Sequence, residues 1–123
     1  MGYIAETKWH KENFNAKWLF TNNFKYSREY SDSDSDAYVR TFPIYKYKFI
    51  PLYECILILY ADNGEVIIKV QDRNKNSLPQ FNYDSQNNYK KFIDRLEKVI
   101  AKELKRLGIK PLKNVLKDER KNE

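Results

Sequence analysis

Seven apolar residues late in the chain, Tyr89, Phe92, Ile93, Leu96, Ile100, Leu104 and Leu107, fall at i, i+3, i+4, i+7, i+11, i+15 and i+18. This is one continuous stripe on an α-helix. Asp84 or Ser85 suits the N-cap, Gly108 suits the left-handed position after the last turn, Ile109 can pack back on that turn, and Pro111 blocks continuation. The spacing predicts a helix over 85–107, about 35 Å long at 1.5 Å per residue. A helix with one apolar stripe needs a partner surface to be stable. The rest of the chain must supply that surface, and its periodicity is that of strands.

Residues 24–30 alternate, with Phe24, Tyr26, Arg28 and Tyr30 on one side and Lys25, Ser27 and Glu29 on the other. Residues 38–42 and 44–49 resume strand character, and Pro43 between them marks a bulge, a bend or an edge. Tyr45, Tyr47 and Phe49 fall on one face, with Lys46 and Lys48 opposite. Residues 52–60 are near-continuously apolar and read as a buried strand, bounded by Pro51 and by Asp62-Asn63-Gly64. Asn63 and Gly64 can both take φ > 0, so a type I′ turn is expected to return the chain into 65–71. Residues 78–83 read as a last short strand limited by Pro79. Near the start, Trp9, Phe14, Trp18 and Leu19 give a loose helical stripe that reads as a short helix over 5–19, its aromatic residues serving as core or lid.

The expected fold is α+β: an antiparallel meander of four to five strands with one long C-terminal helix packed across one face, plus a short N-terminal helix. It divides one domain, 1–123, into an N-terminal helical or irregular segment (1–23), the sheet (24–83), the long helix (84–108) and a charged tail (109–123). In order of elements, Ile56 to Gly108 resembles the Pur-type and Whirly-type single-strand-binding folds. The likeness is one of topology without a shared motif, and it implies single-strand binding.

A length of 123 residues fits a single domain. Ten Tyr, seven Phe and two Trp exclude disorder for the body of the chain. One Cys excludes an internal disulfide framework and a multi-cysteine metal site. No apolar run nears the roughly 20 residues that cross a bilayer, and the first residues lack a signal-peptide pattern, so a cytoplasmic location is expected. Asp32, Asp34 and Asp36 suggest a calcium loop, but the positions that need Gly and Glu hold Ala37 and Pro43. Gly occurs only at 2, 64 and 108, which leaves no glycine-rich phosphate loop. Cys55 sits in the most apolar strand, and the single His, His10, has no nucleophile beside it in sequence. Glu54 and Glu65 flank the hairpin without the Lys two residues on from Glu65 that a nuclease site would use. No catalytic residue, metal or cofactor is assigned, and a non-enzyme is expected.

The net charge of +6 is uneven: residues 90–113 carry nine basic and three acidic side chains. Lys91, Arg95, Lys98, Lys102, Lys105 and Arg106 fall opposite the apolar stripe, and a concentrated positive face attracts polyanions. On the strands, aromatic and basic residues interleave at Arg40, Tyr45, Lys46, Tyr47 and Lys48. Exposed rings can stack bases while cations follow phosphates. The same alternation also describes any amphipathic strand with Tyr inward. These residues lead to the expectation of a small nucleic-acid-binding accessory protein, with single strands among its targets. The second expectation is a phage- or mobile-element-type inhibitor or adaptor of the anti-defence kind. It would dock on a larger protein or nucleoprotein complex, with Trp9 and Trp18 as interface anchors. No membrane partner is expected, and a homodimer is compatible with the sequence.

Overall fold

The apolar run of 52–60 becomes the middle of the sheet. The computed structural model describes Ile4, residues 7–75 and residues 87–112, with 87–90 as backbone only. In chain order its elements are β1 (Trp9–His10), α1 (Ala16–Thr21), β2 (Lys25–Ser27), β3 (Ala37–Tyr47), β4 (Ile50–Tyr60), β5 (Glu65–Asp72), α2 (Asn87–Leu107) and β6 (Lys110–Pro111). The strands form one antiparallel sheet in the order β2-β3-β4-β5-β1-β6. The fold is α+β as expected, but with six strands. The meander runs only from β2 to β5; β1 and β6 then add to its far edge.

Residues 55–59 of β4 are buried without a break because both faces of the strand are covered. On one side Cys55, Leu57 and Leu59, with Val66 and Val70 of β5, meet Ile93, Leu96, Ile100, Leu104 and Leu107 of α2. Each such side chain gains roughly 1.5–3 kcal/mol from burial. On the other side Ala37, Ile56 and Ile58 form a smaller cluster with Tyr30, Val39 and Tyr60.

Both helices end by the same device. After α2, Gly108 takes φ +73, its N–H donates to Lys105 O at 3.1 Å, and the Ile109 N–H reaches Leu104 O at 2.9 Å. After α1, Asn23 takes φ +63, its N–H donates to Phe20 O at 3.1 Å, and the Phe24 N–H reaches Leu19 O at 2.8 Å. Asn15 starts α1 by accepting the Trp18 N–H on Oδ1 at 2.8 Å.

Several expected boundaries move. In place of a helix over 5–19, Trp9 and His10 pair as a strand and the helix is confined to 16–21. The strand expected at 24–30 stops at Ser27, whose carbonyl accepts from the Ser31 N–H and Oγ, at 3.2 and 2.6 Å. The segments 38–42 and 44–49 are a single strand, β3, with register shifts between Pro43 and Lys46. Only Gly64 of the Asn63-Gly64 pair has positive φ, and its N–H donates to Tyr60 O at 2.8 Å, which closes a five-residue turn. The paired positive φ values occur instead at Lys48 (φ 49) and Phe49 (φ 71), between Tyr47 and its register partner Ile50. The segment after α2 is not tail from its start: Ile109 is buried and Lys110–Pro111 pair with β1. The strand at 78–83, the cap at Asp84 or Ser85 and the tail beyond Leu112 lie outside the described residues.

Candidate nucleic-acid interface

The outward face of α2 carries Lys91, Arg95, Lys98, Lys102, Lys105 and Arg106, all exposed. At 3.6 residues per turn they fall within an arc of about 100°, opposite the buried stripe. The three carboxylates of this stretch of helix lie outside that arc. Asp94 stands at its border and is half-buried. Glu97 is buried and accepts the Ile4 N–H on Oε2 at 2.9 Å. Glu103 is turned towards the sheet. Among the described residues, Lys91, Arg95, Lys98, Lys102 and Lys105 form no ion pair.

Arg40 and Arg106 differ from these five. Arg40 Nη2 donates to Glu103 Oε2, and Arg106 Nη2 donates to the same oxygen at 2.6 Å. Arg40 Nη1 also donates to Asn22 O at 3.1 Å, and its guanidinium lies 5.5 Å from the Phe42 ring centroid. Its side chain is largely buried. Arg40 therefore ties β3 to α2 and to the end of α1; as a nucleic-acid contact it is corrected to a structural cation. Hydrogen bonds from Arg106 and then Arg40 hold the Glu103 carboxyl below the usual carboxylate range, against the opposing effect of burial.

The strand aromatics separate in the same way. Register shifts around Pro43 and Lys46 bring two sequence neighbours to the helix side. Ile44 is buried, and the Tyr45 ring meets Phe92 at 5.5 Å and Tyr53 at 6.2 Å. Tyr45 is thus part of a three-ring cluster under α2 and is corrected from stacking surface to core margin. Lys46, Tyr47 and Lys48 are exposed, Tyr47 at 56%, with the Lys48 ammonium 5.5 Å from the Tyr47 ring centroid. Phe49, at the turn, is 95% exposed. Its place at a hairpin tip, rather than on a strand face with Tyr45, is the feature that sequence reading misses.

Trp9 is 6% exposed, and its Nε1 donates to Ile4 O at 3.0 Å, so it is a core residue and not an interface anchor. Trp18 is half-buried, stacked on Phe24 at 5.3 Å and covered by the Lys11 ammonium at 5.0 Å. The exposed aromatic of α1 is Phe20, at 84%. On the sheet face away from α2, Tyr30, Val39, Thr41, Ile56 and Lys69 line an open groove of about 410 Å³, with the Lys69 ammonium 5.2 Å from the Tyr30 ring centroid.

The acidic loop is engaged with itself. Asp32 Oδ1 accepts the N–H groups of Asp34 and Ser35, each at 2.9 Å, and Ser35 Oγ donates to Asp62 Oδ1 at 2.6 Å. Burial pushes the Cys55 thiol far up, which leaves it protonated and unreactive. Among the described residues no group of three or more His, Cys, Asp or Glu could hold a metal ion, and no helix is long and apolar enough to cross a membrane. No family model, curated protein or solved structure matches this chain.

Proposed function

We propose that the protein is a cytoplasmic, non-enzymatic nucleic-acid binder that lays the outward face of α2 along a phosphate backbone. The observation that carries this reading is the arc of exposed cations that no carboxylate of residues 91–106 enters. From Lys91 to Lys105 the arc runs about 21 Å, and one strand of a duplex places about six phosphates along that length. Of the five cations that form no ion pair with a described residue, four are Lys, which act as point charges on phosphate, so little sequence preference is expected.

The test is a salt titration of binding to short single-stranded and duplex oligonucleotides. Five phosphate contacts give a slope of log K against log salt of about −3.5 on single strands and about −4.5 on duplex. Reversing two charges, Lys98→Glu with Lys102→Glu, should remove roughly two contacts from that slope. Absence of binding at low salt, or affinity indifferent to salt, overturns the reading. The adaptor alternative has Phe20 in its favour. It is distinguished by capture of a single protein in stoichiometric amount that survives nuclease and moderate salt.

A further inference from the structure

We propose that the tip of the β3–β4 hairpin is a base-stacking contact for single-stranded nucleic acid, with Phe49 as the ring on which a nucleobase lies. This rests on the reading of α2 above and adds the substrate class.

Among the described residues, no strand pairs with the tip on either side. Pairing with β2 stops at Val39, and pairing with β5 stops at Tyr53. The pairs Lys46–Pro51 and Tyr47–Ile50 therefore stand beyond both neighbouring strands, and residues 46–51 are all exposed. Lys46 and Lys48 supply positive charge here, and no acidic residue occurs from Tyr45 to Tyr53. At the root of the ribbon, Tyr45 and Tyr53 meet Phe92 edge-on at 5.5 and 5.4 Å and each other at a tilt at 6.2 Å. Phe92 adjoins Lys91, so the first cation of the α2 arc stands at the end of the helix that packs on the root of the hairpin.

The turn itself is unfavourable to its residues. Positive φ at two successive positions suits Asn-Gly, and here it is taken by Lys48 and Phe49, which carry a Cβ penalty. Folding alone would favour smaller residues at these positions. Strain retained at an exposed aromatic is expected where the side chain makes a contact outside the fold.

Magnitudes favour a single strand over a duplex. Stacking one base on one ring is worth roughly five- to a hundredfold in affinity. Opening a duplex step to admit a ring costs a comparable factor or more. One Phe cannot supply the difference, whereas a single strand offers bases already splayed. Insertion into a lipid surface would rest on Phe49, Ile50 and Pro51 alone, and is left as an outcome of the test.

The full chain is titrated with a polypyrimidine single strand carrying one 2-aminopurine, with the matching duplex, and with vesicles of phosphatidylserine and phosphatidylcholine. Phe49→Gly removes the ring and relieves its φ. It should lower single-strand affinity about tenfold, abolish the 2-aminopurine quenching, and leave the salt slope and duplex affinity unchanged. Its Tm should not fall, so loss of binding could not be laid to unfolding. Phe49→Trp should retain affinity and quenching. The proposal is overturned if Phe49→Gly binds the single strand as the parent does, if both affinities fall alike, or if only vesicle binding depends on Phe49. If the parent binds no nucleic acid at any salt, the reading of α2 fails first. If Lys98→Glu with Lys102→Glu weakens binding and Phe49→Gly does not, only the stacking contact fails.

Discussion

The two turns that bracket β4 are built by opposite rules. At the β4–β5 end, Gly64 takes the one positive φ, and its carbonyl accepts the Lys11 N–H at 2.8 Å, so the turn is locked to the segment after β1. At the β3–β4 end, two residues with Cβ atoms hold positive φ, and neither Lys48 nor Phe49 is buried. One end follows the conformational preferences of its residues and is held by neighbours. The other works against them in open solvent. The first turn is tied into the fold, and at the second, contact with something outside the fold costs the core nothing.

The sharpest way to test that contrast is Gly64→Ala. A Cβ there would stand 2.4 Å from the Lys11 carbonyl oxygen at φ +77, so a loss of about 3 kcal/mol is expected in denaturant unfolding. A loss as small as that of an exposed loop residue would mean the closed end is not locked.

Next comes Arg40→Met, which leaves the half-buried Glu103 with Arg106 alone. A loss of about 2 kcal/mol is expected, below that of a fully buried pair because the partners keep some solvent. The pair also sets a pH dependence. The folded-state pKa of Glu103 is depressed, so its contribution is present above the ordinary carboxylate range, roughly 4, and is lost as pH falls through the lowered value. Glu103→Gln should therefore flatten the acid limb of the stability profile; an unchanged limb would show that other carboxylates govern it.

A smaller effect of opposite sign is expected at the tip. Lys48→Asn with Phe49→Gly should raise stability by about 1 kcal/mol, because the pair then suits a type I′ turn. A drop instead would place the tip among the stabilising parts and dissolve the contrast. Smallest on the fold are Lys98→Glu and Lys102→Glu, each within about 0.5 kcal/mol, since surface changes of this kind disturb no packing. Their effect belongs in the salt slope.

The α2 stripe and β4 were legible because each repeats a period over many residues, and a helix or central strand long enough to bury a full face must show it. The outward basic arc followed from the same stripe. Arg40 was not legible, since a cation on a strand reads alike whether it faces phosphate or Glu103, and the partner lies 63 positions away. The strand at Trp9 was not legible because a two-residue strand has no period to detect. Pro43 marked the irregular register around Ile44, but the turn at Lys48-Phe49 leaves no signature, because it contains neither the Gly nor the Asn that ordinarily marks such geometry. What sequence loses here is whatever is decided by neighbours across the sheet.

The pairing of Trp9 with both Val66 and Pro111 has a kinetic consequence. β1 leaves the ribosome early, yet its outer partner emerges only after the whole of α2. Closing so long a loop is slow compared with forming hairpins or helical turns. The β3–β4 ribbon and the basic helix can therefore exist before the sheet acquires its sixth strand, and the nascent chain keeps an open flank at β1 until Pro111 has left the ribosome.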